Sequence, residues 1–198
     1  MPSQGPLSLP PGANPEASVS TSGGSNAQDA ATASFGVTVG LLAWGMFFAA
    51  LAFAVGYLRM RAPWPPAGMP SLPRILPALG VGLLGAAAGL LHFGARQEHV
   101  RGYVAAALGA QVGFLAVQGF VLSTLWQGGL RLPEGGAYAS AVHGLGALHA
   151  AHGVAGVMGL ALRGFRRGEV RGAVKLWALY GDFLAATGVL FLVAVYLT

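Results

Sequence analysis

Five runs of roughly 20 residues or more pass with scarcely a charged side chain, and that feature decides most of what the chain can fold into. The runs cover about residues 36–58, 75–93, 103–126, 138–162 and 174–197. A helix of about 20 apolar residues is long enough to cross the hydrocarbon core of a bilayer. The runs are continuous rather than alternating, and their Ala and Leu content favours helix over strand. Strands of a membrane barrel need only about 10 residues, so these runs are twice too long for that alternative. The chain is 55% hydrophobic and 9% charged, against about 25% charged in an ordinary soluble domain. The expectation is an all-α membrane protein, a five-transmembrane-helix bundle over residues 36–198.

The connections fit this division. Residues 1–35 are rich in Pro, Ser, Gly, Ala and Asn, with only Glu16 and Asp29 charged, and read as a flexible N-terminal tail. The tail lacks the basic start and early apolar run of a signal peptide. Between the first two spans, "APWPPAGMPSLP" cannot continue a helix, because proline removes donors and clashes with the preceding turn. Pro77 falls in the first turn of the second span, where proline is tolerated. The net charge of +5 resides in these short connections, which suits membrane topology better than nucleic-acid binding. One side of the membrane receives Arg96, Arg101, Arg163, Arg166, Arg167, Arg171 and Lys175, and the other Arg59, Arg61, Arg74 and Arg131. The excess sets the N-terminus in the cytoplasm and the C-terminus outside. With no cysteine, disulfides, thiolate metal sites and cysteine nucleophiles are excluded.

Glycine is frequent inside the spans, 32 residues in all. In lipid it lets two helix backbones approach closely. Gly36/Gly40, Gly85/Gly89 and Gly109/Gly113 make GxxxG spacings, and Gly153, Gly156 and Gly159 stripe the fourth span. These are expected as tight packing faces, within the chain or against a partner.

Polar residues inside the spans are fewer. Gln111 and Gln118 lie seven apart on the third helix, and His149 and His152 lie three apart on the fourth. Asp182 stands about two turns into the fifth, where an isolated carboxylate costs about 2.5–3.5 kcal/mol. It is expected to pair with a histidine or glutamine, to be protonated, or to face a wet or headgroup-filled pocket. A pairing with His149 or His152 across the fourth and fifth helices is the specific expectation. Trp177 and Tyr180, near the start of the fifth span, read as interfacial anchors. Bis-histidine haem ligation would need two histidines on facing helices at one depth. His92 and His143 fall near opposite ends of helices that cross in the same direction, and His143 and His152 are already about 13 Å apart in depth. No third ligand accompanies the adjacent pair for a metal site. Hydrogen bonding between helices, lipid-headgroup contact and proton handling stay open for His149 and His152.

Several segments resemble one family. "LHAAHGVAGVMGL" resembles the two-histidine helix of subunit III of the haem-copper oxidases, with His149, His152 and Gly156 on its motif positions. The following "RGFRRG" is similar to that family's basic cytoplasmic loop, and "LWALYGDFLAATGVLFLVAVYL" to its closing helix. Upstream, "MFFAALAFAVGYLRMRAPWPPAGMPSLP" resembles the first helix of the short five-helix form, and Gln118 falls where the family often has a glutamine. The match runs over about residues 40–198 in order. Of the family's Tyr-Trp-His-Phe core only Tyr180 and Phe183 remain, with Gly181 and Asp182 between them. The family's acid on its first shared helix is missing, Trp44 lying near its place.

The resemblance implies a non-catalytic accessory subunit of a terminal oxidase in a bacterial inner membrane. It implies no cofactor in this chain, with haem and copper in the partner catalytic subunit. It also implies bound structural phospholipid. His149, His152, Asp182, Tyr180 and Gln118 would then be buried polar or lipid-contact positions, and Arg163, Arg166 and Arg167 headgroup contacts. Two alternatives compete: an accessory subunit of nitric oxide reductase, and a small membrane cytochrome b that uses the histidines itself.

Overall fold

The computed structural model describes residues 15–164 and 170–197. Five α-helices follow one another: α1 Pro15–Arg61, α2 Ile75–Gly94, α3 Val100–Gln127, α4 Gly136–Gly164 and α5 Val170–Phe191. A π-helical segment, Leu192–Leu197, continues α5. Each helix, α5 together with its π-helical continuation, contains a stretch of 20 to 31 residues long and apolar enough to cross a membrane. Large apolar side chains such as Phe53, Met60, Phe93, Val112 and Met158 point outward, as lipid-facing surfaces require. The chain is a multi-pass, all-helical membrane protein.

The chain divides into two compact units, Met1–Val39 and Gly40–Thr198. In the first, helix begins well before the apolar run. Residues 1–14 of the expected flexible tail lie outside the described residues, whereas residues 15–35 are helical. The Ala-rich stretch "AQDAATA" carries high helix propensity, and Pro15 occupies the first turn, where its missing N–H is harmless. Apolar content alone, which governed the expected boundary, says nothing about such a polar helical extension.

The second unit is built on close approach at glycine. Gly181 faces Ala88 and Gly188 faces Val81, so α2 and α5 run antiparallel. Gly153 meets Phe114 and Leu115 of α3, and a Cβ there would lie 2.9 Å from the Phe114 ring. Gly156 lies under Tyr180, and Gly159 lies under the indole of Trp177. The fourth-helix stripe thus contacts helices on two sides. Of the GxxxG pairs, Gly36/Gly40 and Gly85/Gly89 face open space, and in the third Gly113 meets Leu83 while Gly109 meets nothing. Spacing permits close packing on any face; the large residues on the opposing helix decide which face receives it.

Within this unit α1 is held differently, through aromatic side chains rather than backbone proximity. Phe48 is fully buried, its ring 5.1 Å from His152, 5.7 Å from Phe183 and 5.2 Å from Phe191. Arg59 fixes the helix end: its guanidinium donates to the carbonyls of Ala194 at 2.9 Å and Val195 at 3.3 Å, and stands over the Trp64 ring. Trp64 Nε1 donates to the same Val195 carbonyl. These are carbonyls near a helix C-terminus, which need partners from outside the helix. Arg59→Ala removes two charge-assisted bonds and is expected to destabilise this end by about 1–2 kcal/mol. The check is faster maleimide labelling of a single cysteine introduced at Val195, in a chain that has no cysteine of its own.

Candidate functional site

The polar residues of the spans divide into two groups on different sides of α5. The inner group lies between α3, α4 and α5. His149 is buried, and its Nε2–H donates to the Leu184 carbonyl of α5 at 3.0 Å. Its ring lies 5.0 Å from Phe114 and 5.7 Å from Phe191. One turn further on, Tyr180 OH donates to the His152 carbonyl at 2.9 Å. α4 and α5 are therefore linked by reciprocal bonds, a side chain of each helix reaching a backbone carbonyl of the other. In a medium without water such bonds are worth about 0.6–2 kcal/mol each. Tyr180→Phe removes one of them without changing shape. A loss of about 1 kcal/mol is expected, seen as a small drop in the unfolding midpoint in detergent.

His152 uses its Nδ1–H on Leu148 of its own helix at 2.9 Å. The ring is enclosed by aromatic edges, Trp44 at 5.0 Å and Phe48 at 5.1 Å. His143 belongs elsewhere: its Nε2–H donates to the Leu130 carbonyl at 2.7 Å, near the start of α4. Gln111 and Gln118 are both buried on one face of α3. Gln111 Oε1 has no hydrogen-bond partner among the described residues. Gln118 points at Gly146 and, with His149, lines a cavity of about 30 Å³. That is room enough to hold a water molecule.

The second group corrects the expectation for Asp182. Its carboxylate bonds neither His149 nor His152 but His92, at 2.7 Å from Nε2. The pair sits on the outer side of α2 and α5, the two side chains 48% and 50% exposed. Depth in the span pointed to the fourth-helix histidines, yet Asp182 faces away from α4. Trp177 and Tyr180 turn onto α4, over Gly159 and Gly156.

Among the headgroup candidates, Arg163 is exposed at the end of α4, whereas Arg166 and Arg167 lie outside the described residues. The sequence assigned Arg59 and Arg74 to topology only. In the fold they line a cavity of about 320 Å³ with Trp64, Ser71, Tyr138 and Tyr196. No group of three His, Asp or Glu side chains converges on a metal-sized site among the described residues. No protein-family model and no curated protein matches the chain.

Proposed function

We propose that this chain is the non-catalytic subunit III of a haem-copper terminal oxidase in a bacterial inner membrane, with its N-terminus in the cytoplasm. The observation that carries the reading is the segment "LHAAHGVAGVMGL" followed by its basic loop and closing helix, in the order that subunit III resembles. The geometry of that segment supports a structural task. His149 bonds a backbone carbonyl of α5, while His152, bonded within its own helix, lays its ring against aromatic side chains of α1, so the two hold α4 against both neighbours. The redox centres, haem and copper, then belong to the catalytic subunit. Outward apolar faces suit lipid and protein neighbours, and Arg163, Arg166 and Arg167 suit anionic headgroups.

The experiment is purification of the tagged full-length chain from its own membranes in mild detergent, with absorbance spectra and partner identification. Co-purification with a haem-copper catalytic subunit, and no haem on the chain once separated, is the expected result. Recovery of the chain alone, or a stoichiometric Soret band on the separated chain, overturns the reading. Orientation is checked by placing single cysteines at Leu132 and Glu98 in intact cells. An impermeant maleimide is expected to label the first and not the second.

A further inference from the structure

One end of the bundle gathers cationic and hydroxyl side chains around the cavity of about 320 Å³. Its lining comes from four separate segments: Arg59 of α1, Ser71 and Arg74 of the connection to α2, Tyr138 of α4, and Tyr196 after α5. The cavity is therefore a product of the fold rather than of one loop. Arg59 lies two residues before its span closes at Arg61, and Arg74 directly precedes the α2 span. Tyr138 lies two residues into the α4 span, and Tyr196 one residue before the last span ends. At about 1.5 Å per residue, these four stand within roughly 3 Å of the level where the apolar spans stop. Water and lipid headgroups meet at that level.

The charges at the cavity are all of one sign. The only ion pair among the described residues is His92–Asp182, which joins the far end of α2 to α5. Neither Arg59 nor Arg74 has a carboxylate partner among the described residues, and no Asp or Glu lines the cavity. Arg59 is already fixed in place: Nη1 donates to the carbonyls of Ala194 and Val195, and the guanidinium stands over the Trp64 ring. Its Nε and Nη2 take no part in those bonds. Arg74 is exposed and heads α2 without its side chain capping the helix, whose first turn carries no acid. Two guanidinium groups on one cavity repel each other, and an anion held there turns that repulsion into attraction.

The donor set says which anion fits. A guanidinium presents a planar fork of N–H groups that matches the oxygens of a phosphate. The hydroxyls of Ser71 and Tyr196 add further donors at the same cavity. With no carboxylate present, the site offers nothing to an ammonium group. The rest of the wall, Pro65, Leu72 and Val195, is apolar. The volume is at the lower end of the about 300–1,000 Å³ usual for small-ligand sites, which leaves room for an organic remainder.

We propose that this cavity is an anion site for the phosphate group of an organic phosphate that carries no neighbouring amine. A phosphatidylglycerol headgroup and a soluble phosphomonoester share that chemistry. The site lies at the opposite end of α4 from Arg163, and it holds whichever complex the chain belongs to.

The test uses the full-length chain purified in neutral detergent. Binding of glycerol 3-phosphate, phosphatidylglycerol and phosphatidylcholine is followed by native mass spectrometry and by the melting midpoint. At least one of the two anionic probes is expected to bind saturably, one per chain, and phosphatidylcholine at least tenfold more weakly. Saturation by glycerol 3-phosphate assigns the site to soluble esters, and saturation by phosphatidylglycerol alone assigns it to the membrane. Arg74→Gln is expected to weaken the bound probe roughly tenfold while leaving the melting midpoint of the free chain unchanged. Arg61→Gln removes the same charge at the same end of α1, where Arg61 bonds the Tyr57 hydroxyl and does not line the cavity. It is expected to change affinity less than twofold. Failure of both anionic probes to saturate overturns the site, as does equal binding of phosphatidylcholine. So does Arg74→Gln binding like the unmodified chain, or Arg61→Gln weakening binding as much as Arg74→Gln, which marks general surface charge. None of these outcomes bears on the oxidase assignment, which stands or falls by co-purification.

Discussion

Gly181→Trp is expected to prevent α2 from packing on α5 and to leave little folded protein in detergent. A Cβ on residue 181 would sit 3.2 Å from Ala88 Cβ and 3.3 Å from Ala88 Cα, already tighter than ordinary contact. Every further atom of an indole must occupy volume held by the α2 backbone. A helix backbone cannot rotate out of the way as a side-chain tip can. Overpacking typically costs about 1–3 kcal/mol, and displacement of a whole helix exceeds that range. α2 also carries Leu84 and Leu91, buried in two separate parts of the core, and His92, bonded to Asp182. Moving α2 outward uncouples all three. Gly181→Ala brings only the Cβ and is expected to cost about 1 kcal/mol, whereas Gly109→Trp faces open space and is expected to be neutral. Melting curves and the folded yield of the three variants check the order. A Gly181→Trp chain that melts with the unmodified protein refutes the close approach of α2 and α5.

The five spans were legible because bilayer thickness imposes a length on apolar runs, and that length is visible without any knowledge of contacts. Their ends were less so. α1 extends back to Pro15 through residues whose helix propensity is independent of hydropathy, and α5 passes into a π segment whose carbonyls meet Arg59 and Trp64. Neither effect leaves a mark in an apolar pattern. The partner of Asp182 was missed for a geometric reason. Helical side chains lean toward the N-terminus of their own helix. In an antiparallel pair, His92 and Asp182 therefore lean toward each other, closing a register gap of about five residues that backbone depth alone makes too wide. Which face of α5 carried the acid was equally hidden. Glycine stripes on α2 and α4 look alike in sequence, and only Phe114, Tyr180 and Trp177 on neighbouring helices separate the covered stripe from the open one.

His149→Ala and His149→Phe are expected to differ by more than any other pair of substitutions at the polar centre. The imidazole does two things at once. Its ring fills space between Phe114 and Phe191, close to Gly188, and its Nε2–H bonds the Leu184 carbonyl. Alanine removes both and leaves a void that close-packed neighbours cannot fill, at an expected loss of about 3 kcal/mol. Phenylalanine keeps an aromatic ring in the same slot and removes only the bond, about 1 kcal/mol in a lipid setting. The Thr187 hydroxyl lies 2.9 Å from the Phe183 carbonyl and 3.1 Å from that of Leu184, a donor shared between the two, so the phenylalanine variant leaves the Leu184 carbonyl a partner. Unfolding midpoints of the two purified variants give the order directly. Under the oxidase assignment proposed above, turnover of the complex separates a structural histidine from a chemical one. If His149 handles protons or ligates a metal, phenylalanine abolishes that role as completely as alanine does, and both variants lose activity together. If it holds helices, activity follows stability, and the phenylalanine chain assembles and turns over while the alanine chain does not.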